Sequence, residues 1–209
     1  MSAEPHSQRP LPIESLPGHR DFRHLSSVPG IRVDLRYATP DNFVGTDLYT
    51  PFDCAWLHAE GAARLEAAVR ELARHDAGLE LVVLDALRPQ RVQERLWKQL
   101  EGTGLEIYLA PPQRGSIHSF GMAVDVTIAR RKGPELDMGT PFDDLTELSH
   151  PALEPQFLAS GRLTAAQVDN RKLLRGVMSA AGWQGISREW WHFDGGDRER
   201  IRVELVRVL

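Results

Sequence analysis

The sequence has few of the features that mark secreted, membrane-spanning or nucleic-acid-binding proteins. Its single cysteine, Cys54, excludes an internal disulfide. No apolar run approaches the roughly 18 residues of a membrane span, and residues 1–20 lack the apolar core of a secretory signal. The formal net charge of −4 does not indicate nucleic acid or an anionic membrane as a partner. We therefore expect a cytoplasmic protein, and we make no prediction of its oligomeric state.

The composition is that of an ordinary globular protein. The chain has 209 residues, of which 42% are hydrophobic, and this is enough to bury a sizeable core. Residues 1–29 contain five prolines and few apolar residues, so we expect them to form a loose N-terminal arm. Residues 30–209 contain no repeat and no low-complexity segment, and we predict that they form a single domain.

Two short motifs, far apart in the chain, carry side chains that can bind a metal. The first contains His118 and Asp125, and the second contains Glu189 and His192. Taken singly, either pair is common by chance, and its ordinary interpretation is a hydrogen-bonded or exposed histidine. Together the motifs offer two imidazoles and two carboxylates. Three such ligands would bind zinc and leave a fourth position for water, as catalytic zinc sites do.

The residues around these motifs predict two strands. From position 122 to position 128, apolar residues alternate with small or polar ones, and Asp125 lies on the polar face between small neighbours. Residues 190–193 are typical of a second strand. Glu189 and His192 are three residues apart and would point to opposite faces of an ideal strand. Glu189 must therefore lie in a bend that precedes the strand.

Hydrophobic periodicity predicts the other regular elements. The predicted strands cover residues 31–38 and 79–84, and the predicted helices cover residues 56–77, 90–100 and 164–181. Pro89 fits the first turn of the second helix, and Thr164 begins a capping box at the third. Residues 101–115 are rich in glycine and proline, so we expect a loop that forms a rim or lid. Residues 201–208 are compatible with either a strand or a helix.

At this point the sequence resembles a known family. The patterns Ser-x-His-x2-Gly-x-Ala-x-Asp at 116–125 and Glu-x-Trp-His at 189–192 are similar to motifs of the D-alanyl-D-alanine dipeptidases, the VanX-like zinc peptidases of family M15. Residues 33–45, 85–89 and 138–143 resemble three further motifs in the family's order. Ile117 departs from the family, which usually has a second serine before the histidine. Resemblance and strand pattern together imply an α+β fold, in which helices flank a small, mostly antiparallel sheet around one zinc site.

The resemblance implies which residues perform the chemistry. His118, Asp125 and His192 would hold one Zn²⁺ per chain. Glu189 would accept a proton from water and deliver it to the departing amine. Arg88 would stabilise the tetrahedral intermediate of peptide hydrolysis, because its guanidinium stays charged and offers forked donors to an oxyanion.

The resemblance also implies a set of substrate-binding residues. Tyr37 would contact the amino end of the substrate, Asp143 would bind its ammonium group, and Ser116 would contact the substrate through its hydroxyl or nearby backbone. Asp85 is grouped with them and would orient Arg88. The ordinary interpretations are a core tyrosine for Tyr37, a turn cap for Ser116 and a solvated acidic loop for Asp143.

Three functions are compatible with these features. The first is hydrolysis of the small dipeptide D-alanyl-D-alanine, either to recycle it or to alter cell-wall precursors. The second is a zinc D,D- or L,D-carboxypeptidase that trims peptidoglycan stem peptides, which needs an open cleft and usually export. The third is a zinc-binding module without catalysis. The absence of a signal and the segment around Tyr37 favour the dipeptidase, whereas Glu189 and Arg88 disfavour the third function, because structural zinc needs neither.

Overall fold

A five-stranded sheet forms the centre of the protein. The structure, a computed structural model, describes residues 9–209. In chain order its strands are β1 (Phe22–His24), β2 (Ile31–Val33), β3 (Trp56–His58), β4 (Leu79–Asp85), β5 (Ala123–Arg130), β6 (Gln184–Gly185) and β7 (His192–Asp194). The central sheet has the strand order β2-β4-β5-β7-β6, and β1 pairs with β3 in a separate antiparallel ribbon.

Most pairs in the central sheet are antiparallel. Only β2 runs parallel to its neighbour, β4, whereas the β4–β5, β5–β7 and β6–β7 pairs are antiparallel. The long strands β4 and β5 lie next to each other and are buried almost throughout. Burial on both faces explains why β4 has a nearly continuous apolar run rather than an alternating pattern. The predicted α+β fold with a small, mostly antiparallel sheet is confirmed.

Helices flank this sheet. Within the described residues the α-helices are α1 (Ala59–His75), α2 (Gln90–Leu100), α3 (Glu154–Ala159), α4 (Ala165–Ala180) and α5 (Arg198–Glu204). α1 and α4 contact each other and the sheet, and they bury Leu65, Leu72 and Leu174 in the main core. α4 has the predicted capping box, in which the side chains of Thr164 and Gln167 each bond the other's backbone. None of these helices is both long and apolar enough to cross a membrane.

Two predicted elements have different bounds in the structure. α1 begins at Ala59 rather than at position 56, because Trp56–His58 pair with β1 instead. β2 ends at Val33, although the alternation continues to position 38. Beyond Val33 the chain leaves the sheet and makes a short helical turn, Arg36–Ala38. This turn buries Tyr37 in a second hydrophobic cluster, whose members include Tyr49, Leu87 and Leu96. The alternation therefore reflects packing against that cluster rather than one face of a strand.

The N-terminal segment differs from the predicted loose arm. Ile13, Leu16 and Phe22 belong to the second hydrophobic cluster, and Leu25 belongs to the main core. The first eight residues of the predicted arm lie outside the described residues. The apolar residues of positions 9–29 are few, but they are spaced so that nearly all of them reach the core. Composition alone therefore underestimates how much of this segment is buried.

The C-terminal segment combines the two predicted possibilities. It forms α5, and then Val208 makes a single parallel bridge with Leu11. Val208 is completely buried, and its backbone N–H donates to the carbonyl of Ser119, next to His118. The C-terminal segment thus supports the turn that carries a candidate ligand.

Candidate active site

Strand pairing brings two of the candidate ligands together. Asp125 on β5 lies directly opposite His192 on β7. Directly opposite residues of an antiparallel pair place their side chains on the same face of the sheet. The carboxylate and the imidazole are consequently neighbours, although 67 positions separate them in the sequence.

The third candidate ligand comes from a short helical turn that precedes β5. His118 lies in this turn, Ile117–Phe120, and Ser116 caps it by accepting a hydrogen bond of 3.3 Å from the His118 backbone N–H. The turn ends at Gly121, where φ is +65°. A Cβ atom at Gly121 would lie 2.6 Å from the backbone nitrogen of His58, so only glycine fits. The motif's glycine thus allows the close approach that positions His118.

The three candidate ligand atoms form a nearly equilateral triangle. His192 Nδ1 lies 3.0 Å from Asp125 Oδ1, and His118 Nε2 lies 3.2 Å from His192 Nδ1 and 3.4 Å from Asp125 Oδ1. Zinc with ligands at about 2.0–2.1 Å has tetrahedral edges of roughly 3.3–3.4 Å. The triangle therefore has the dimensions of three corners of such a shell. Burial opposes ionisation of Asp125, but the facing imidazoles outweigh burial and hold the pKa of its carboxyl below the usual range.

Hydrogen bonds on the far side of each imidazole determine which ring nitrogen carries a proton. His118 Nδ1 lies 2.7 Å from the carbonyl oxygen of Ala86, which can only accept. His192 Nε2 lies 3.0 Å from Asp194 Oδ1, and Arg198 holds the other oxygen of Asp194 at 2.6 Å. Without a metal, His192 Nδ1 can donate to Asp125 Oδ1 at 3.0 Å, and Asp194 and Asp125 outweigh burial and raise the pKa of the His192 imidazole. With both rings neutral, His118 Nε2 and His192 Nδ1 would instead present lone pairs to each other at 3.2 Å. A bound cation would satisfy both, an arrangement typical of metal-binding histidines.

Glu189 lies beside the triangle but outside it. It belongs to the irregular segment between β6 and β7, in the bend that the spacing to His192 requires. Its Oε2 atom is 3.9 Å from His192 Nδ1, and the residue is 9% exposed. Burial raises the pKa of the Glu189 carboxyl to about 7. A carboxylate with such a pKa exchanges protons readily at neutral pH.

Arg88 reaches the site from the junction between β4 and α2. Its Nε and Nη2 atoms donate to Asp85 Oδ2 at 2.9 Å and 2.7 Å, and Nη2 also lies 3.3 Å from Asp125 Oδ2. The guanidinium stacks over the ring of Tyr37, 5.0 Å from its centroid. Asp85 is fully buried behind Arg88, where Tyr49 donates a hydrogen bond to it. Asp85 therefore holds Arg88 and, contrary to its grouping with the substrate-binding residues, does not line the cavity.

A cavity of about 290 Å³ lies over the triangle. Its walls include the three candidate ligands, the candidate polar groups and part of the predicted loop: Tyr37, Arg88, Ser116, His118, Asp125, Asp143, Glu189, His192 and residues 107–111. Trp191 also lines the cavity, whereas Trp190 points away and donates from Nε1 to Thr140 Oγ1 at 2.8 Å. Residues 107–111 and Arg114 of the predicted loop line the cavity, so the rim is the segment of residues 107–114.

Asp143 lies in this cavity wall and has one unpaired carboxylate oxygen. Its Oδ1 atom accepts a hydrogen bond of 3.0 Å from the Tyr37 hydroxyl. Its Oδ2 atom is inaccessible and has no hydrogen-bond partner in the described part of the chain. Burial, reinforced by nearby Asp125, raises the pKa of the Asp143 carboxyl well above its usual range. A cationic group placed at Oδ2 would relieve this cost.

Comparison with known proteins shows the family of this chain. A family model described as D-Ala-D-Ala dipeptidase, of the M15 peptidases, matches residues 20–205. The chain belongs to this family. Family M15 consists of metallopeptidases, so the chain is a metallopeptidase by family, and His118, Asp125 and His192 are its group of possible metal ligands within residues 9–209.

Two bacterial dipeptidases agree with the family match. A D-alanyl-D-alanine dipeptidase of Escherichia coli K12 is 37% identical over 169 residues, which cover 79% of each chain. A D-alanyl-D-alanine dipeptidase of Enterococcus faecium is 32% identical and covers 79% of this chain and 86% of its own. A solved LD-carboxypeptidase, LdcB, is 16% identical with a TM-score of 0.48, and the match covers 97% of this chain and 85% of that one.

Several residues around the M15-type site have no signal in the family motifs. Asp194 follows His192 by two positions and therefore shares its face of β7, which alternation alone would have indicated. Tyr49 and Gln93, which contact Asp85 and Arg88, lie outside the family motifs. His150, a histidine outside the motifs, lies 2.8 Å from the hydroxyl of Tyr108.

Proposed function

We propose that this protein is a zinc-dependent dipeptidase that hydrolyses D-alanyl-D-alanine to two molecules of D-alanine. The names of its relatives support this substrate. The structural observation that carries the proposal is Asp143, which has an unpaired carboxylate oxygen and lines the same cavity as the triangle and Glu189. A substrate ammonium group at this place would favour the ionised form of the Asp143 carboxyl, and a stem peptide has no free α-ammonium group next to its C-terminal bond.

His118 Nε2, Asp125 Oδ1 and His192 Nδ1 would hold the zinc. One carboxylate and two neutral imidazoles are a donor set found in zinc sites, and three protein ligands leave a position for water or substrate. When bound, zinc would supply Lewis acidity, which polarises a carbonyl and lowers the pKa of water from about 15.7 toward about 7.

Glu189 would move the proton. Its Oε2 atom accepts a proton from the attacking water and later donates it to the nitrogen of the departing D-alanine. The pKa of about 7 fits both roles, because the group must gain and lose a proton in each turnover. Its position outside the triangle leaves it free for this task.

Arg88 and Asp143 would bind the two polar centres of the substrate. The Arg88 guanidinium shares the negative charge that develops on the carbonyl oxygen. Asp143, held by the Tyr37 hydroxyl, binds the ammonium group. The Ser116 hydroxyl accepts from the His118 backbone, so its own proton remains for the substrate.

A turnover assay on zinc-loaded protein tests the proposal. The substrates are D-Ala-D-Ala, L-Ala-L-Ala, N-acetyl-D-Ala-D-Ala and a pentapeptide that ends in D-Ala-D-Ala, and released alanine is measured. We expect cleavage of the free D,D-dipeptide alone. Release of D-alanine from the pentapeptide would establish the carboxypeptidase instead, and zinc binding without cleavage of any substrate would leave the non-catalytic module.

A further inference from the structure

Gln93 on α2 connects the catalytic arginine to the rim of the cavity. The residue is completely buried. Its Oε1 atom accepts a hydrogen bond of 3.2 Å from Arg88 Nη1, and its Nε2 atom donates one of 2.8 Å to the carbonyl oxygen of Ala110. An arginine can only donate and a carbonyl can only accept, so the two partners determine the orientation of the amide. The side chain thus has one arrangement that satisfies both contacts.

The contacts of Arg88 show why the orientation of the Gln93 amide is important. A guanidinium has five N–H groups. The Nε group donates to Asp85, and Nη2 donates to Asp85 and Asp125. Nη1 donates one N–H to Gln93, and its second N–H has no partner within residues 9–209. Because Arg88 lines the cavity, this remaining N–H is the donor left for a substrate oxygen.

We infer that Gln93 is a positioning residue, which directs the free Nη1 donor of Arg88 toward the substrate and is itself held in place by the rim at Ala110. The inference rests on the proposed function, because it assigns the donor to the oxyanion of peptide hydrolysis. Asp85 holds the Nε side of the guanidinium, and Gln93 holds the Nη1 side. Without Gln93, the Nη1 side loses its hydrogen-bonded support.

Gln90 offers a matched control on the same helix. It lies one turn before Gln93, is also buried, and donates from Nε2 to the carbonyl oxygen of Pro112 at 2.9 Å. It therefore makes a similar bond to the same rim segment but does not contact Arg88. Replacing Gln90 by methionine removes one rim bond, and replacing Gln93 by methionine removes one rim bond together with the bond to Arg88.

The test compares kcat and KM for Gln93→Met, Gln93→Glu and Gln90→Met in zinc-loaded full-length protein. A misplacement of about 1 Å at a reacting group can cost roughly 100-fold, so we expect kcat of Gln93→Met to fall at least about tenfold. KM should stay within about twofold, because the lost interaction belongs to the transition state. Gln93→Glu keeps an acceptor for Arg88 but loses the donor to the Ala110 carbonyl, so it should recover part of kcat. Gln90→Met should keep kcat within about twofold.

Binding of a phosphinate analogue of the dipeptide provides a second readout, because its tetrahedral phosphorus mimics the intermediate. Its affinity should fall in parallel with kcat in Gln93→Met and remain unchanged in Gln90→Met. The inference is overturned if Gln93→Met retains wild-type kcat, if its loss lies in KM, or if Gln93→Glu is no better than Gln93→Met. Lack of turnover by the wild-type protein would instead overturn the proposed function, so the two failures are distinguishable.

Discussion

Asp194 Oδ1 lies 3.0 Å from His192 Nε2, on the side of the imidazole that faces away from the triangle. Asp194 is buried, and Arg198 contacts its second oxygen. In a neutral His192 this pair favours the proton on Nε2, which would make Nδ1 available to a metal. The carboxylate therefore determines the tautomer of a candidate ligand without being a ligand itself.

We predict that Asp194→Asn weakens zinc binding by about 10- to 100-fold, because the ring loses a charged acceptor that orients it and raises its basicity. Competition with a chromogenic chelator measures the affinity. Asp169→Asn, on the exposed face of α4, is the control and should bind zinc normally. Unchanged zinc affinity in Asp194→Asn would show that the pair has no part in metal binding.

We predict that Glu189→Gln retains stoichiometric zinc but loses turnover by about 10²- to 10⁴-fold, the usual contribution of a positioned acid–base group. The amide has nearly the shape of the carboxylate but cannot accept the proton. Zinc content by atomic absorption and kcat on the same sample separate the two effects. Near-normal activity would exclude Glu189 as the base, and loss of zinc would make it a ligand.

Zinc should stabilise the folded protein through the three candidate ligands. A ligand that binds only the native state stabilises it by about 2.7 kcal/mol at 100 times its Kd. We therefore expect the Tm of the wild-type protein to rise with added zinc and to fall with EDTA. In His118→Ala and His192→Ala this dependence should be lost together with the metal. A stoichiometric zinc content in either variant would contradict the assigned site.

Asp143→Asn should impair catalysis through substrate binding. A hydrogen bond to a charged group contributes about 1.5–3 kcal/mol, so we expect kcat/KM to fall by roughly 10- to 100-fold. The discrimination against N-acetyl-D-Ala-D-Ala should fall by the same factor, because the variant no longer recognises the ammonium group. A variant that still discriminates as strongly as the wild type would place the ammonium site elsewhere.

The same substitution should stabilise the protein in the absence of substrate. The pKa of the Asp143 carboxyl is raised in the folded state, chiefly by burial, so the folded protein binds its proton more tightly than the unfolded chain does. Ionisation therefore destabilises the fold as pH rises above the unfolded pKa of about 3.9. We expect Asp143→Asn to raise the Tm at pH 7, with a gain that vanishes near pH 4. Thermal unfolding across this range measures it, and a pH-independent difference would contradict the ionisation.

Local pattern predicts the elements whose signals are contained in a few consecutive residues. The helix after Pro89, the helix after Thr164 and the strand around Asp125 all have the expected type, because caps and periodicity act within one element. The bend at Glu189 follows from the geometry of a strand alone. The motifs also contain the residues of the triangle: the first motif supplies His118 and Asp125, and the second supplies His192.

The tertiary structure decided what depends on contacts between distant segments. Residues 9–29 pack because a hydrophobic cluster is available to them, and Tyr37 turns inward because β2 leaves the sheet early. Asp85 lies behind Arg88, and Trp191 rather than Trp190 lines the cavity. The pairing of Asp125 with His192 also depends on contacts between segments that are distant in the sequence. Periodicity specifies which face a side chain occupies within its own strand, but the register between strands is determined by the packing of the whole core.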